Sequence, residues 1–173
     1  VKALRGGIEL KDLRGNVGTR LRKLDDGEYD AIMLAAAGII RLGLKKRITQ
    51  LIPESVLFPA IGQGAIGIEC RAGDDDVLEL IAAVNDRETS LCVETERAFS
   101  RRLFGGCQLP IAGQASIKGN QINLVGLVAR IDGSEVIKSE LSGGIEKRDE
   151  IGAALAESLL ARGADDILKE LLH

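Results

Sequence analysis

Two arginines flank a glycine turn near the start of the sequence, in the segment RGNVGTRL. Arg14 precedes the turn formed by Gly15 and Asn16, and Arg20 lies on the helix that we expect to follow. The free amides of a helix N-terminus favour anions, and guanidinium groups bind carboxylates through two hydrogen bonds. Arg41, which follows a predicted strand, is a third candidate for the same crevice. The alternative is that all three are solvated surface arginines.

Cys107, in the segment LFGGCQLP, is a second candidate for chemistry. It directly follows a Gly-Gly pair and precedes a proline, a pattern typical of a loop that can approach a ligand closely. We interpret it either as a nucleophile or attachment point, its thiolate favoured by Arg101 and Arg102, or as a structural thiol. For Cys70 and Cys92 we favour the structural interpretation, because they lie in apolar contexts.

Two further segments are polar and have simpler alternatives. Gln63 lies between two glycines in PAIGQGAIGIECR, where its amide group could meet a ligand or the glycines could form a hinge. The run Asp74 to Asp76 begins a predicted helix. We interpret it as a favourable charge at a helix N-terminus rather than as a metal site, since it lacks the spacing of an EF-hand.

The composition excludes several classes of chemistry. The chain of 173 residues has one His, at the last position, so a Ser-His-Asp triad or a His-based metal site is not expected within it. Three Phe, one Tyr and no Trp leave little for stacking on bases, and a net charge of -3 also argues against a nucleic-acid partner. Polar chemistry must therefore come from Arg, Lys, carboxylates, Cys and backbone amides.

Cysteine usage and hydropathy predict a cytoplasmic protein. Three cysteines without a C-x-x-C pair fit neither a disulfide framework nor a zinc site. No signal peptide is recognisable, and the longest nearly uncharged run, residues 31–40, is too short to span a bilayer, so no membrane partner is expected. The sequence starts at Val1 in what looks like the approach to a secondary-structure element, and we expect it to be a fragment of a longer protein.

The first half of the sequence is typical of an α/β fold. Apolar spacing predicts a helix over residues 17–24, capped by Asn16 and stopped by Gly27. The apolar run after GEYD predicts a buried central strand from Asp30 to Ala35, followed by a helix over 36–42 that places Gly38 and Arg41 near the crevice at the strand's end. A proline- and glycine-rich crossover then leads to a second strand, Ala65 to Cys70.

The α/β part ends at about Asp86 with a helix over 74–86, which has Val77, Leu80, Ile81 and Val84 on one face. The rest of the sequence is typical of an α+β domain and begins with a helix from about Glu88 to Phe104. Alternation then predicts three antiparallel strands, with turns at KGNQ and DGS, and two closing helices separated by Gly163. The predicted strands are 112–117, 121–131 and 134–141, and the closing helices are 147–160 and 165–172.

Four segments together resemble the porphobilinogen deaminase (hydroxymethylbilane synthase) family: RGNVGTRLRKLDDGEYDAIMLAAAG, PAIGQGAIGIECR, ERAFSRRLFGGCQLPI and LVGLVARIDGS. The resemblance covers essentially the whole sequence in order. It implies three domains, two of them similar to periplasmic binding proteins. Residues 1–58 would end the second α/β domain, residues 59–86 would be a crossover strand and helix of the first, and residues 87–173 would form the carboxyl-terminal α+β domain.

The resemblance implies a transferase of porphyrin, tetrapyrrole and heme biosynthesis. It would join four porphobilinogen units head to tail into hydroxymethylbilane, with release of ammonia, on a dipyrromethane cofactor held by a thioether to Cys107. Arg14, Arg20 and Arg41 would bind carboxylates of the cofactor and of the growing polypyrrole. Asn16, Gly38 and Gln63 would line the cleft with the substrate.

The resemblance also implies what this sequence lacks. The family's catalytic aspartate belongs to the first domain, and no segment here matches its motif, so no catalytic residue is assigned to this chain. We expect it to be inactive without the amino-terminal half of the same protein, and the full-length form to be monomeric. Phe104 stands where the family commonly has an acidic residue. A non-catalytic module that binds small carboxylates, with Cys107 merely structural, remains the alternative, and an interaction or folding domain is a third hypothesis.

Overall fold

A computed structural model describes residues 2, 4–103 and 109–172. The chain divides into two compact units, which we call the small unit (Arg5–Leu57) and the large unit (Phe58–His173 together with Val1–Leu4). The division into three domains that the family resemblance implies stays a prediction.

The small unit contains two helices, α1 (Val17–Asp25) and α2 (Ala36–Arg41), and a 3-10 turn at Lys45–Arg47. Asn16 caps α1, because its Oδ1 accepts a hydrogen bond of 2.8 Å from the amide of Thr19. The helix ends before Gly27, which has a φ of 76°. Glycine adopts this left-handed conformation at little energetic cost because it has no Cβ. The predictions for both helices and for the cap are confirmed.

The predicted strand from Asp30 to Ala35 is wrong. No strand is assigned to these residues, none of their side chains is buried, and Met33 is 48% exposed. A central strand needs hydrogen-bonded neighbours on both sides, and the described residues of the small unit contain no strand to pair with it. The apolar run therefore lacks the partners that would make it part of a sheet.

A three-stranded antiparallel sheet forms the centre of the large unit, in the order β1 (Ile111–Lys118), β2 (Gln121–Ala129), β3 (Val136–Gly144). Lys118 pairs with Gln121, so β1 and β2 are joined by a two-residue turn in which Gly119 has a φ of 63°. In the next loop the carboxylate of Asp132 accepts hydrogen bonds from the amide and hydroxyl of Ser134. All three predicted strands are confirmed, with β3 displaced toward the C-terminus.

Four helices accompany this sheet: α3 (Asp75–Ala82), α4 (Arg87–Arg102), α5 (Arg148–Leu159) and α6 (Asp165–Leu172). A 3-10 turn, Ile145–Lys147, precedes α5. The chain bends between α5 and α6 at Gly163, whose φ is 101°. The predicted helices are confirmed at these positions, although Phe104 lies outside the described residues.

The predicted strand from Ala65 to Cys70 is also wrong, for the same physical reason. These residues are not paired with any described strand, and Ile66 is 86% exposed. The apolar face predicted for α3 exists but is not buried, since Leu80 is 73% and Val84 is 67% exposed. The three-stranded sheet with its helices is thus the layered structure that the described residues form.

The core of the large unit depends on three glycines that let helices and sheet approach closely. Gly113 and Gly126 face each other across β1 and β2, and the ring of Phe99 from α4 lies over them. A Cβ built at Gly126 would lie 2.6 Å from Phe99 Cζ, far inside van der Waals contact. A Cβ built at Gly152 of α5 would lie 2.6 Å from the carbonyl oxygen of Thr95. Glycine is therefore required where α4 crosses the sheet and α5.

The remaining core consists of aliphatic side chains from α4, the inner face of the sheet, α5 and α6. The fully buried members besides Phe99 are Leu103, Ile122, Leu124, Val128, Leu155, Ala156, Leu159, Ala164 and Ile167. In the small unit, by contrast, the buried apolar side chains among the described residues are Leu21 and Ile39. Most of the hydrophobic stabilisation therefore belongs to the large unit.

We predict that Gly126→Ala lowers the free energy of unfolding of the large unit by about 1–3 kcal/mol, because the new methyl group would occupy the space that the ring of Phe99 fills. Urea unfolding followed by circular dichroism measures the change. Gly67→Ala is the matched control, because nothing lies within 4 Å of a Cβ built there. Equal stability of the two variants would contradict the packing described.

We predict that Asn16→Ala destabilises α1 by about 1 kcal/mol, because the amide of Thr19 loses its acceptor. Asn16→Asp keeps an acceptor oxygen at the same position and should leave α1 nearly unchanged. Amide hydrogen exchange of Thr19 and of the next turn measures both effects. Identical exchange in the two variants would show that the side chain does not cap the helix.

Candidate functional site

The small unit brings the glycine turn and α2 together at the start of α1. A Cβ built at Gly38 would lie 3.9 Å from Val17 Cγ2, so the first turns of the two helices are neighbours. Asn16 precedes Val17 directly and is exposed. The structure therefore places Asn16 and Gly38, both predicted cleft residues, on the same side of the small unit.

Arg20 folds back onto the glycine turn. Its Nε donates a hydrogen bond of 2.7 Å to the carbonyl oxygen of Gly15. Gly15 has a φ of 119°, and a Cβ there would lie 3.0 Å from Thr19 Cγ2, so the turn requires glycine. This bond fixes the guanidinium group beside the turn and leaves its terminal nitrogens available to an anion.

Arg14 and Arg41 are exposed cations with little competition from carboxylates. The side chain of Arg14 is 91% exposed, and its distance to the equally exposed Asp12 is 4.0 Å, the limit of an ion pair. Arg41 is exposed at the end of α2 and has no ion-pair partner in the described part of the chain. Neither is joined to Arg20 by a described contact, so the clustering of all three arginines stays a prediction.

Gln63 belongs to the large unit, in a segment that we call the glycine loop (residues 60–64). Its first turn is closed by two hydrogen bonds: the amide of Gln63 donates to the carbonyl oxygen of Ala60 at 2.9 Å, and the amide of Ala60 donates to Gln63 Oε1 at 3.1 Å. In the next turn the amide of Ala65 donates to the carbonyl oxygen of Gly62 at 3.2 Å. Gln63 is exposed. Its Nε2 has no partner among the described residues and is open to a ligand.

Cys107 lies outside the described residues, as do the other residues of 104–108. The chain on either side is firmly held: Leu103 is 1% exposed, and Leu109 packs against the core just before β1. Arg101 and Arg102, expected to favour the thiolate, form ion pairs with Asp149 and Glu157 of α5. Their guanidinium groups are therefore already engaged within the large unit.

Sequence reasoning missed Glu96, a buried carboxylate on α4 that is 8% exposed. Its Oε1 accepts a hydrogen bond of 2.9 Å from the amide of Ala115 in β1, and its Oε2 accepts one of 2.8 Å from the amide of Gly62 in the glycine loop. A signal was present in the sequence. Glu96 shares a helical stripe with Cys92, Phe99 and Leu103, where an apolar residue is expected.

Burial controls the ionisation of this part of α4. Loss of solvation raises the pKa of the Glu96 carboxyl, although the two backbone amides act in the opposite direction. Burial also raises the pKa of the Cys92 thiol, and the negative charges of Glu96, Glu88 and Asp86 add to that effect. A thiol held in its neutral form is a poor nucleophile, which supports the structural interpretation of Cys92.

The described residues contain no cluster of three or more His, Cys, Asp or Glu side chains that could hold a metal ion. Asp74, which directly precedes α3, pairs with Arg71 at 3.5 Å. In the same part of the chain, no helix combines the length and hydropathy that crossing a bilayer requires.

Comparison with protein families gives two matches, in the order of the chain. Residues 1–79 match the model described as "Porphobilinogen deaminase, dipyromethane cofactor binding domain". Residues 90–161 match the model described as "Porphobilinogen deaminase, C-terminal domain". The resemblance inferred from the sequence motifs is confirmed by these matches.

Curated relatives agree with the family models. Proteins named porphobilinogen deaminase are 50% identical over 167 residues in Syntrophotalea carbinolica, 50% identical over 170 residues in Vesicomyosocius okutanii and 49% identical over 166 residues in Prochlorococcus marinus subsp. pastoris. The matches cover 96%, 98% and 96% of this chain but 53%, 56% and 52% of those relatives. The chain thus spans about half the length of its relatives, and over that span it belongs to the porphobilinogen deaminase family.

Proposed function

We propose that this chain is the carboxyl-terminal part of a transferase that joins four porphobilinogen units head to tail into hydroxymethylbilane, with release of ammonia. The observation that carries this proposal is the ordered match to both family domains, with Cys107 inside the second. The product would serve porphyrin, tetrapyrrole and heme biosynthesis. A chain that spans half of its relatives would act together with an amino-terminal half.

The exposed arginines of the small unit suit a polycarboxylate ligand. Each pyrrole of the implied dipyrromethane cofactor and of the substrate carries two carboxylates, so a chain growing to six rings would present about a dozen negative charges. Arginine stays protonated throughout such a cycle and binds carboxylates through two hydrogen bonds. The absence of strong competing carboxylates at Arg14 and Arg41 in the described residues is the feature that fits this ligand.

The residues of this chain would bind and orient rather than transfer protons. Arg14, Arg20 and Arg41 would hold carboxylates of the cofactor and the polypyrrole. Asn16 and Gly38 would line the cleft beside them. When bound, the dipyrromethane cofactor would supply the free pyrrole α-carbon to which the first unit is added, and later units would be added to the terminal ring of the growing chain.

Cys107 would hold that cofactor through a thioether. Firm anchoring of the chain at Leu103 and Leu109 confines the attachment point to a short segment between α4 and β1. The large unit would then act as a platform for the cofactor, and Gln63 of the same unit would line the cleft.

The finer architecture is part of the proposal. We expect the small unit to complete a domain similar to periplasmic binding proteins, because its extended apolar run needs strands from elsewhere. The complete protein would be a cytoplasmic monomer. The amino-terminal half would supply the catalytic aspartate, so this chain alone should be inactive.

We predict that the chain, co-produced with the amino-terminal half of the Syntrophotalea carbinolica relative, gains the mass of two linked pyrrole units. Cys107→Ser should abolish the increment, because the thioether has no sulfur to form on. Cys70→Ser and Cys92→Ser are the matched controls and should keep it. Intact mass spectrometry is the measurement. An unmodified chain in that assembly would contradict the proposal and favour a non-catalytic module that binds small carboxylates.

We predict that Arg41→Gln weakens binding of porphobilinogen or its polymers to the same assembly by about tenfold or more, because one charge-assisted pair is lost. Arg41→Lys should recover part of the affinity. Arg71→Gln removes an arginine that is 89% exposed and lies outside the proposed site, so it is the control. Equal affinity of all three variants would show that Arg41 is a solvated surface residue.

A further inference from the structure

We propose that Glu96 is a positioning residue that fastens the glycine loop to α4 and β1 of the large unit and thereby sets the position of Gln63. We call the pair of hydrogen bonds from the amides of Gly62 and Ala115 to the Glu96 carboxylate the clasp. The clasp is a property of this chain, whereas its effect on turnover rests on the proposed function. Glu96 uses one carboxylate oxygen for Ala115 and the other for Gly62, which is 34 residues away along the sequence.

The glycine loop is held at two adjacent residues, by apolar packing at Ile61 and by a hydrogen bond at Gly62. Ile61 packs against the core and lies close to Gly113, where a built Cβ would be 3.0 Å from Ile61 Cδ1. Gly62, which has a φ of 68°, turns the chain so that its amide points to Glu96 Oε2. Gln63 follows directly and is exposed. The loop therefore presents Gln63 from a fixed base.

The helix that carries Glu96 is itself fixed on the sheet. Phe99, one turn after Glu96, is seated over the glycines of β1 and β2, so α4 cannot slide along the sheet without losing that contact. The position of Glu96 along β1 is therefore fixed, and its carboxylate lies within hydrogen-bonding distance of the amide of Ala115. Its Oε2 accepts the hydrogen bond from Gly62, which fixes Gly62 relative to α4, the helix that leads toward Cys107.

The chemistry of the clasp requires a carboxylate. A glutamine in its place has one acceptor oxygen and one NH2 donor, and it can therefore satisfy only one of the two backbone amides. Neither of the two segments that Glu96 contacts in the described part of the chain brings a cation to it: the glycine loop has no ionisable side chain, and β1 has none before Lys118. Cys92, one turn earlier on α4, is the titratable group whose pKa Glu96 raises.

The first test is nuclear magnetic resonance on the intact chain. The amide protons of Gly62 and Ala115 should titrate together with a single midpoint above the ordinary pKa of glutamate. In Glu96→Gln this titration should vanish from both, and the Gly62 amide should exchange about tenfold faster or more, whereas the Phe99 amide keeps its protection. Glu94→Gln removes a carboxylate from the same helix and is the control.

Independent midpoints for the two amides in the unsubstituted chain would overturn the clasp, and this result does not require any variant to fold. Unchanged exchange of Gly62 in Glu96→Gln would overturn it as well. Neither outcome depends on catalysis, so both are distinct from failure of the proposed function, which would appear as a missing cofactor mass.

The second test asks whether Glu96 acts through Gln63. In the assembly with the amino-terminal half, Glu96→Gln should keep the cofactor mass on Cys107 and lower turnover as Gln63→Ala does. The double variant should be no slower than the more affected single variant, because both changes remove the same contribution. Fully multiplicative losses would show that Glu96 does not act through Gln63.

Discussion

The ring of Phe99, seated over a facing pair of glycines, is the contact on which the large unit depends. Gly113 and Gly126 are register partners on β1 and β2, and their missing side chains leave a slot that one aromatic ring fills. Interiors packed at this density do not tolerate an added methyl group without displacement. The position of α4 on the sheet is therefore fixed at Phe99, and the other contacts of that helix depend on this position.

Three features follow from the fixed position of α4. One turn before Phe99, Glu96 is brought to the amides of Ala115 and Gly62, which ties a loop distant in sequence to the sheet. Where α4 meets α5, Gly152 lets the two helices cross in backbone contact. At its C-terminus, buried Leu103 leads directly into the segment that contains Cys107. A helix with one aromatic anchor thus connects the glycine loop, α5 and the proposed attachment point.

Local signals in the sequence predicted much of this fold. Asn16 and Gly27 marked the ends of α1, the turns at Gly119 and Gly133 separated the strands, and Gly163 divided the last two helices, since each acts through its own neighbours. The apolar runs at 30–35 and 65–70 were misread as strands, because hydropathy does not show whether a hydrogen-bonding neighbour exists. Glu96 was missed because its partners lie 19 and 34 residues away. For the proposed site, the arginines were predicted by residue type and spacing, and their clustering stays a prediction because it depends on contacts between residues that are distant in sequence.

The large unit would serve as a platform for a cofactor held by Cys107. Tryptic peptide mapping of the assembly tests it most directly, because the three cysteines fall on separate peptides, 48–71, 88–97 and 103–118. We expect the added mass of two linked pyrroles on peptide 103–118 and on neither of the others. An increment on peptide 48–71 or 88–97, or an unmodified peptide 103–118 in an active assembly, would contradict it.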